Sequence, residues 1–397
     1  METRKTVVFF LGQSQYESMR EMTFCFMDAF YRLGYETISI DLCDSSYNER
    51  LINTINNFKI DLFFGLNGWG GDFLINGKSL YDTINVPFFA FYVDHPMYHV
   101  ERLKWNIDNY IVSFIDKGHI KDIDNFLDSS KKFTKAFVPH ATYLKTPKND
   151  IQNRKHEIVF AGSIKNPDDI RKNWLELSNP LRNLMETVVE KSIYSDNRDI
   201  LSLFSDSLAE NDIYLSGDNF KKLLAVFQQV DSFTRNYRRD KVIRSLLKTP
   251  ITIYGNGWDY ISWAGGNKAE FFPALKTKEL YSILEDTKIF LNVFPNYPNG
   301  SHERVFDAMI HHAVCLTDES HYLKDFFKHE ENILYYQYDD QLLGDKLKHY
   351  VSNTSFLQQV ADQGYHVTQE HHTWNNRAAK ILEIVKLHTT IRSLNSL

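Results

Sequence analysis

The feature that most constrains this chain is a pattern played twice: short apolar runs alternating with segments of helical length. In the first round the runs cover residues 6–12, 37–42, 61–67, 88–94, 110–115 and 136–139, each bounded by Gly, Pro, Asn or Asp. They are apolar on both faces, as strands are when helices cover both sides of a parallel sheet. Residues 16–34 have helical length, and Gly34 sits where such a helix would end. Alternation of this kind predicts an open α/β sheet.

A polar, non-periodic stretch at 146–155 (TPKNDIQNRK) reads as an interdomain linker. The pattern then restarts. EIVFAGS at 157–163 has the same grammar as VVFFLGQS near the N-terminus, a strand running into a Gly-containing turn. Residues from about 168 to 248 are mostly helical, strands resume at 251–255, 288–294, 314–317 and 332–336, and the tail from 375 is helical again. The expected architecture is α/β, two Rossmann-like doubly wound domains facing a central cleft. They span residues 1–150 and 151–374, with a helical insert at about 168–248.

Composition narrows the function classes. The formal net charge is −6 with a pI near 6.2, and no long basic run is present, so no nucleic acid partner is expected. Cys25, Cys43 and Cys315 are scattered and odd in number, which suits a reducing cytoplasm rather than a disulfide framework. The apolar run at 7–11 is too short for a signal peptide, and no window reaches the roughly 18 apolar residues of a membrane span. Peripheral membrane contact is the most that is expected. The 29 Phe and 22 Tyr are unusual, and Phe in place of Leu and Val in the core accounts for most of them.

Open α/β sheets bind ligands beyond the carboxyl ends of their strands. The richest such end is FPNYPNGSHERVFDAMIHHAVCLTD at 294–318. A turn-rich loop containing Asn296 and Gly300 leads to a helix expected to begin near Ser301, a good N-cap. The free N–H groups of such a helix suit phosphate. Glu303, Asp307 and His311 share one face at four-residue spacing, and Val305, Phe306, Met309 and Ile310 form an apolar one. Asp307 is placed to accept from ribose hydroxyls; the bland alternative is a solvated, charge-balanced face.

Arg304-Val305-Phe306-Asp307-Ala308-Met309, followed by Ala313 to Asp318, resembles the donor-binding signature of group 1 glycosyltransferases of the GT-B fold, and most nearly the spore-maturation-type branch. The resemblance implies that Asp307 stands at the position of a ribose-binding glutamate and that Arg304 lies near the diphosphate, with Val305 a further donor-binding candidate. Asp307 is one methylene shorter than Glu, and His312 stands near a position usually held by Gly. HEIVFAGSIKNPDDIRKNW resembles the opening of the donor domain, which implies Gly162, Ser163 and Lys165 beside the phosphates. RRDKVIRSLLKTPITIYGNGW puts Tyr254, Gly255, Gly257 and Trp258 beside the nucleotide, and Phe271 and Phe272 fall where backbone contacts to the base are usual. HHTWNNRAAKILEIV resembles the terminal helix, at about 375–397, that packs back on the N-terminal domain. The likeness covers about residues 156–385.

In the first half, Gly12 and Gln13 follow the first strand and Trp69 sits in a polar strand end, NGWGG; all three are candidates for the acceptor side, as is His140. Asp94 and His95 end the fourth strand and are the candidates for acid–base chemistry, against the plain reading of a turn starter before Pro96. Metal is not expected: His95 and His99 are separated by Pro96, the doublets His311-His312 and His371-His372 diverge on a helix, and no compelling Asp-x-Asp is present.

The expected function is therefore metal- and cofactor-independent transfer of a sugar from a nucleotide-sugar donor to a hydroxyl on a glycan, lipid-linked or protein acceptor. A catalytically silent nucleotide-sugar or glycan-binding module and a nucleotide-sugar epimerase are the alternatives on the same scaffold.

Overall fold

The structure is a computed structural model that describes residues 5–127, 131, 133–146, 150–194, 198–214, 221–262 and 265–395. The chain forms two compact units. Unit 1 comprises Met1–Tyr143 and His372–Leu397, and unit 2 comprises Leu144–His371.

Unit 1 is built on six parallel strands: β1 (Thr6–Leu11), β2 (Glu36–Asp41), β3 (Ile60–Leu66), β6 (Phe88–Tyr92), β7 (Tyr110–Phe114) and β8 (Thr134–Phe137), in the order β2-β1-β3-β6-β7-β8. A small antiparallel hairpin, β4 (Leu74–Ile75) and β5 (Lys78–Ser79), was not foreseen from the sequence. The apolar runs read as strands bury both faces. Phe9, Phe10, Phe63, Phe64, Phe88, Phe89 and Phe91 are all inaccessible to solvent. Neighbouring strands stack their rings, Phe64 on Phe89 with centroids 5.7 Å apart and Phe10 on Phe63 at 5.8 Å. Much of the chain's phenylalanine is thus the filling of this sheet, where each ring buries large apolar area.

Helix α1 (Ser18–Arg32) covers one face, and the chain's terminal helix, here α7 (Trp374–Asn395), lies against it. Trp374 packs on Phe26 and Phe91, with centroids 4.6 and 6.3 Å apart. Arg377 is buried and donates to the carbonyls of Pro139 and His140, both at 3.0 Å. His388 bridges Thr134 Oγ1 (2.7 Å) and Asn109 Oδ1 (2.9 Å). Burial pushes its imidazole pKa down to about 4, so it sits in the fold as a neutral ring.

Unit 2 repeats the plan with β9 (His156–Ala161), β10 (Ile251–Tyr254), β11 (Glu270–Phe272), β12 (Thr287–Leu291), β13 (Val314–Thr317) and β14 (Leu334–Tyr335), ordered β11-β10-β9-β12-β13-β14 and all parallel. Its core is mainly aliphatic, with Ile158, Ile251, Ile253, Ile289, Leu291, Val314 and Leu316 from the strands. The strand order reverses between β9 and β12, the switch point where such sheets open a crevice. Between β9 and β10 the chain forms α2 (Asn179–Tyr194), α3 (Ile200–Ala209) and the long α4 (Leu224–Ser245), which pack on one another. After β12 comes α5 (Glu303–Ile310), and after β14 comes α6 (Thr354–His371).

Residues 150–155 are not a free linker. Ile151 is fully buried and its N–H donates to Gln358 Oε1. Arg154 is buried with its guanidinium on the carbonyls of Thr287 (2.7 Å) and His311 (2.9 Å). The polar stretch is anchored through side chains whose partners are distant in sequence. The rest of the expected linker, 147–149, lies outside the described residues.

Candidate functional site

The carboxyl ends of β9, β10 and β12 converge in unit 2. After β9 the chain turns at Gly162 and Ser163, and after β10 it turns at Gly255, Asn256 and Gly257. These two turns are laced together. The N–H groups of Gly162 and Ile164 donate to the carbonyls of Tyr254 (2.8 Å) and Asn256 (2.9 Å). Asn256 N–H returns to Ser163 Oγ (3.0 Å), and the Trp258 indole N–H donates to the Gly162 carbonyl (3.0 Å). A Cβ on Gly255 would stand 2.1 Å from Gly162 O, and one on Gly257, where φ is +86°, would stand 2.1 Å from Ile164 O. Both glycines are therefore required by the approach of one backbone to another. Trp258 is buried and acts as a post under the crevice. Lys165 N–H is likewise engaged, on Asn236 Oδ1 at 2.8 Å, while its side chain is exposed.

At this strand end stand two guanidiniums. Arg304, in the first turn of α5, donates Nη1–H to Ala161 O at 2.5 Å, and its Nη2 is 3.1 Å from His302 Nε2. Arg239, from α4, donates to Ser163 O at 2.8 Å. The pair brackets Gly162, and a Cβ there would lie 3.4 Å from Arg304 Nη1. Among the described residues neither arginine forms an ion pair with a carboxylate. Burial, then the charges of Arg304 and Arg235, push the Arg239 pKa down to about 9. Burial lowers that of Arg304 too, against the opposing pull of Glu303 and Asp307. Both remain cationic near neutral pH. Arg239 was not singled out from sequence. The available signal was the run RNYRRD, with Arg235 and Arg239 one turn apart on a helix.

Beside the crevice, Tyr254 and Phe272 stack with centroids 5.4 Å apart, and Phe272 is 43 % exposed on the edge strand β11. The pair offers a flat aromatic platform.

The loop between β12 and α5 is fixed from below. Asn296, in the left-handed region at φ 51°, accepts from Arg238 Nη1 (2.6 Å) and donates to Asp231 Oδ1 (2.8 Å). Its amide is thus clamped by α4 at both ends. Asp231 also pairs with Arg235 at 2.6 Å. Gly300 O accepts from Ser320 Oγ (2.8 Å), and Phe294 N–H donates to Asp318 Oδ1 (2.9 Å). Ser301 is fully buried and does not cap the helix. The N-cap is His302, whose Nδ1 accepts from Arg304 N–H at 3.3 Å, and helix α5 begins at Glu303. An imidazole in that role is outside the usual Ser, Thr, Asp and Asn set, so sequence placed the start two residues early.

Within α5 the Glu303–Asp307–His311 face is not a solvated one. Asp307 and His311 are buried, and His311 Nδ1 lies 2.6 Å from Asp307 O. Val305 packs into the core. Burial holds the His311 and His312 imidazoles neutral, each pKa lowered to about 4. His312 has φ 58°, the left-handed conformation that glycine adopts most easily at a helix C-terminus.

In unit 1 the strand ends carry different groups. Asp94, its side chain 42 % exposed, accepts from Asn67 Nδ2 (3.1 Å) and lies 3.7 Å from His99 Nε2. Asn67 O in turn accepts from Arg102 Nη1 at 2.5 Å. His95 is buried. Its Nδ1 accepts from Met97 N–H (3.1 Å), which leaves the proton on Nε2, 3.4 Å from Asp122 Oδ2. Asp94 is therefore presented and His95 is turned inward. Trp69 is half-buried rather than exposed, its indole so close over Gly12 that a Cβ there would meet the ring at 2.5 Å. Gln13 is exposed beside it, and His140 is buried against Phe91. No group of three or more potential metal ligands occurs among the described residues. No helix among them is long and apolar enough to cross a membrane.

Residues 237–383 match the glycosyl transferase-like family. No curated protein matches the chain in sequence. Two solved structures of an α-glucosyltransferase are similar to it. One holds UDP-glucose and DNA containing an abasic site; it is 11 % identical, covers 96 % of this chain and 99 % of its own, and has a TM-score of 0.51. The other holds UDP and a 13-mer DNA containing an HMU base, at 10 % identity, 97 % and 100 % coverage and a TM-score of 0.51. Sucrose-phosphate synthase from Thermosynechococcus elongatus is 11 % identical over 98 % of this chain and 100 % of its own, with a TM-score of 0.49.

These likenesses correct one expectation. Nucleic acid was excluded on net charge, yet a protein of this fold binds DNA. Net charge sums over the whole surface, whereas phosphate contact depends on the local field. The likeness to these structures and the two parallel sheets show the GT-B fold, and residues 237–383 are similar to the glycosyl transferase-like family.

Proposed function

We propose that the protein transfers a sugar from a nucleotide-sugar donor to a hydroxyl-bearing acceptor, with the donor seated at the β9–β10–β12 strand ends of unit 2. The observation that carries this reading is the juxtaposition of a cationic arginine, Arg304, with the half-buried Tyr254 stacked on exposed Phe272 at a topological switch point. Phosphate would sit at Arg304 and the base against the platform. Asp307, one turn along α5, is the residue for ribose. The UDP-glucose bound by the similar α-glucosyltransferase supports a donor of this class.

Asp94 is the proton acceptor in this reading, since it is the exposed carboxylate of the Asp94–His95 pair and is oriented by Asn67 and His99. The leaving diphosphate is stabilised by guanidinium charge in a partly desolvated site, and no metal is required for that step. The acceptor hydroxyl belongs to a glycan, a lipid-linked glycan or a protein. Cys25, Cys43 and Cys315 form no disulfide with one another, which suits a cytoplasmic setting.

The test is thermal stabilisation by UDP, GDP, CMP and dTDP. A ligand at 100 times its dissociation constant adds about 2.7 kcal/mol. One diphosphate is expected to raise the melting temperature of the wild type, with the rise largely lost in Arg304→Ala. If no nucleotide moves the wild type, the donor assignment falls.

A further inference from the structure

We infer that α4, part of the helical segment between β9 and β10, is a working part of the donor site: Arg239 joins Arg304 to form a two-guanidinium clamp that selects a diphosphate over a monophosphate. This rests on the proposed donor site and adds to it a residue, an element and a selectivity.

Three observations converge. The first is what the turn after β9 lacks. Its N–H groups at Gly162, Ile164 and Lys165 are already engaged by Tyr254, Asn256 and Asn236, so the backbone there has little left to cradle an anion. The second is that two cations stand where those amides would have acted. Arg304 and Arg239 donate to the carbonyls of Ala161 and Ser163, one on each side of Gly162. Carbonyls orient a guanidinium without neutralising it, and each guanidinium keeps further N–H donors in its plane. The third is the absence of a carboxylate partner for either among the described residues, although both are partly buried and close enough to repel. Two like charges held together in a region of reduced dielectric are costly unless a ligand of opposite sign completes them.

Other charged groups packed nearby do not serve that purpose. Asp231 is taken by Arg235 and Asn296, and Asp240 by Arg244 and Tyr260. Arg238 is held on Asn296 and Ser192 O and fixes the β12–α5 loop. Within α4, then, Arg238 positions and Arg239 binds. A nucleoside diphosphate carries enough charge to meet both guanidiniums, whereas a nucleoside monophosphate engages one of them.

The experiment is calorimetric titration of the full-length protein with UDP, UMP and inorganic pyrophosphate, for the wild type, Arg239→Gln and Arg239→Lys, with melting curves of each without ligand. A charged hydrogen bond contributes on the order of 10- to 100-fold in affinity. Arg239→Gln is expected to weaken UDP and pyrophosphate by that factor and UMP by less than about 3-fold. Arg239→Lys, which keeps the charge without the planar fork, is expected to fall between. Without ligand, Arg239→Gln should melt no lower than the wild type, since a repulsion has been removed. A purely structural arginine would instead lower the melting temperature and leave the UDP-to-UMP ratio unchanged, which would overturn the inference. Unaltered UDP affinity in Arg239→Gln would overturn it as well, with the donor site intact. Pyrophosphate binding without any binding of UDP would retain the clamp and defeat the nucleotide assignment. Failure of all three ligands on the wild type would defeat both.

Discussion

The strand ends of the two units differ in how their charges are settled. In unit 1 the acidic groups have side-chain partners: Asp41 with Arg20, Asp122 with His95, Asp94 with Asn67 and His99. In unit 2 two guanidiniums, Arg239 and Arg304, rest on carbonyls and, for Arg304, on the His302 ring, with no carboxylate ion pair among the described residues. Both sheets have six parallel strands and both reverse their order beside the first strand of the unit. The same scaffold therefore ends in a nearly self-neutralised surface on one unit and an uncompensated positive one on the other. A self-neutralised surface suits a neutral hydroxyl and one proton transfer; an uncompensated one suits a polyanion.

The sharpest way to break this contrast is at Asp94. Asp94→Asn is expected to lower kcat by about 10²- to 10⁴-fold, the usual worth of a general base, while leaving UDP affinity unchanged. Retained turnover would remove the base from unit 1. Next in size is Arg304→Ala, for which kcat/KM should fall by about 10²- to 10³-fold. In that variant nucleotide binding should weaken together with turnover. Steady-state kinetics with a competent donor and acceptor separate the two patterns.

A smaller effect is expected where α4 clamps the loop. Asn296→Ala leaves the Arg238 and Asp231 groups without their shared partner and should cost about 2–3 kcal/mol of stability, read by chemical denaturation. A loss under about 0.5 kcal/mol would mean that the clamp is not holding the loop.

The pH response comes next. Burial, the main cause, raises the pKa of Asp318 to about 6, above its ordinary 3.8. Between those values the folded protein holds a proton that the unfolded chain has released. Stability from this group is therefore lost as pH rises from about 4 to 6. Asp318→Asn should match the wild type near pH 4 and exceed it by about 1–3 kcal/mol at pH 7. An equal gain at both pH values would refute the assignment. Trp258→Phe, the mildest change, removes one hydrogen bond to Gly162 O and should cost about 1 kcal/mol.

Much of the fold was legible because its strands are buried on both faces and punctuated by Gly, Pro, Asn and Asp. β9, β10 and β13 fall within a residue or two of their expected places, and β12 ends three residues before its expected end. The edge strand β11 was missed because it is three residues long and only partly buried. The site was less legible, for two physical reasons. Gly255 and Gly257 carry the signature of a close backbone approach, but sequence does not say whether the approaching group is a ligand or another turn; here it is the turn at 162–164. Arg239 was hidden because an arginine inside a helix reads as surface until its partners are known, and its partner is a carbonyl 76 residues earlier in the chain. Asn296 was marked from sequence as a donor-binding residue; in the structure its amide is held at both ends by α4.

The return of α7 to unit 1 has a consequence for biosynthesis. The sheet of unit 1 precedes unit 2 on the ribosome, yet Trp374, Arg377 and His388, which fill and tie its core, are made only after unit 2. Unit 2 is an uninterrupted stretch inserted into it. Domains generally fold as units while the chain emerges. Here the later-started unit is able to finish before the earlier one, whose phenylalanine sheet waits for α7 until that helix has been made. During that interval the uncovered aromatic surface is the natural client of a chaperone, and a chain released before α7 is made is left with unit 1 incomplete.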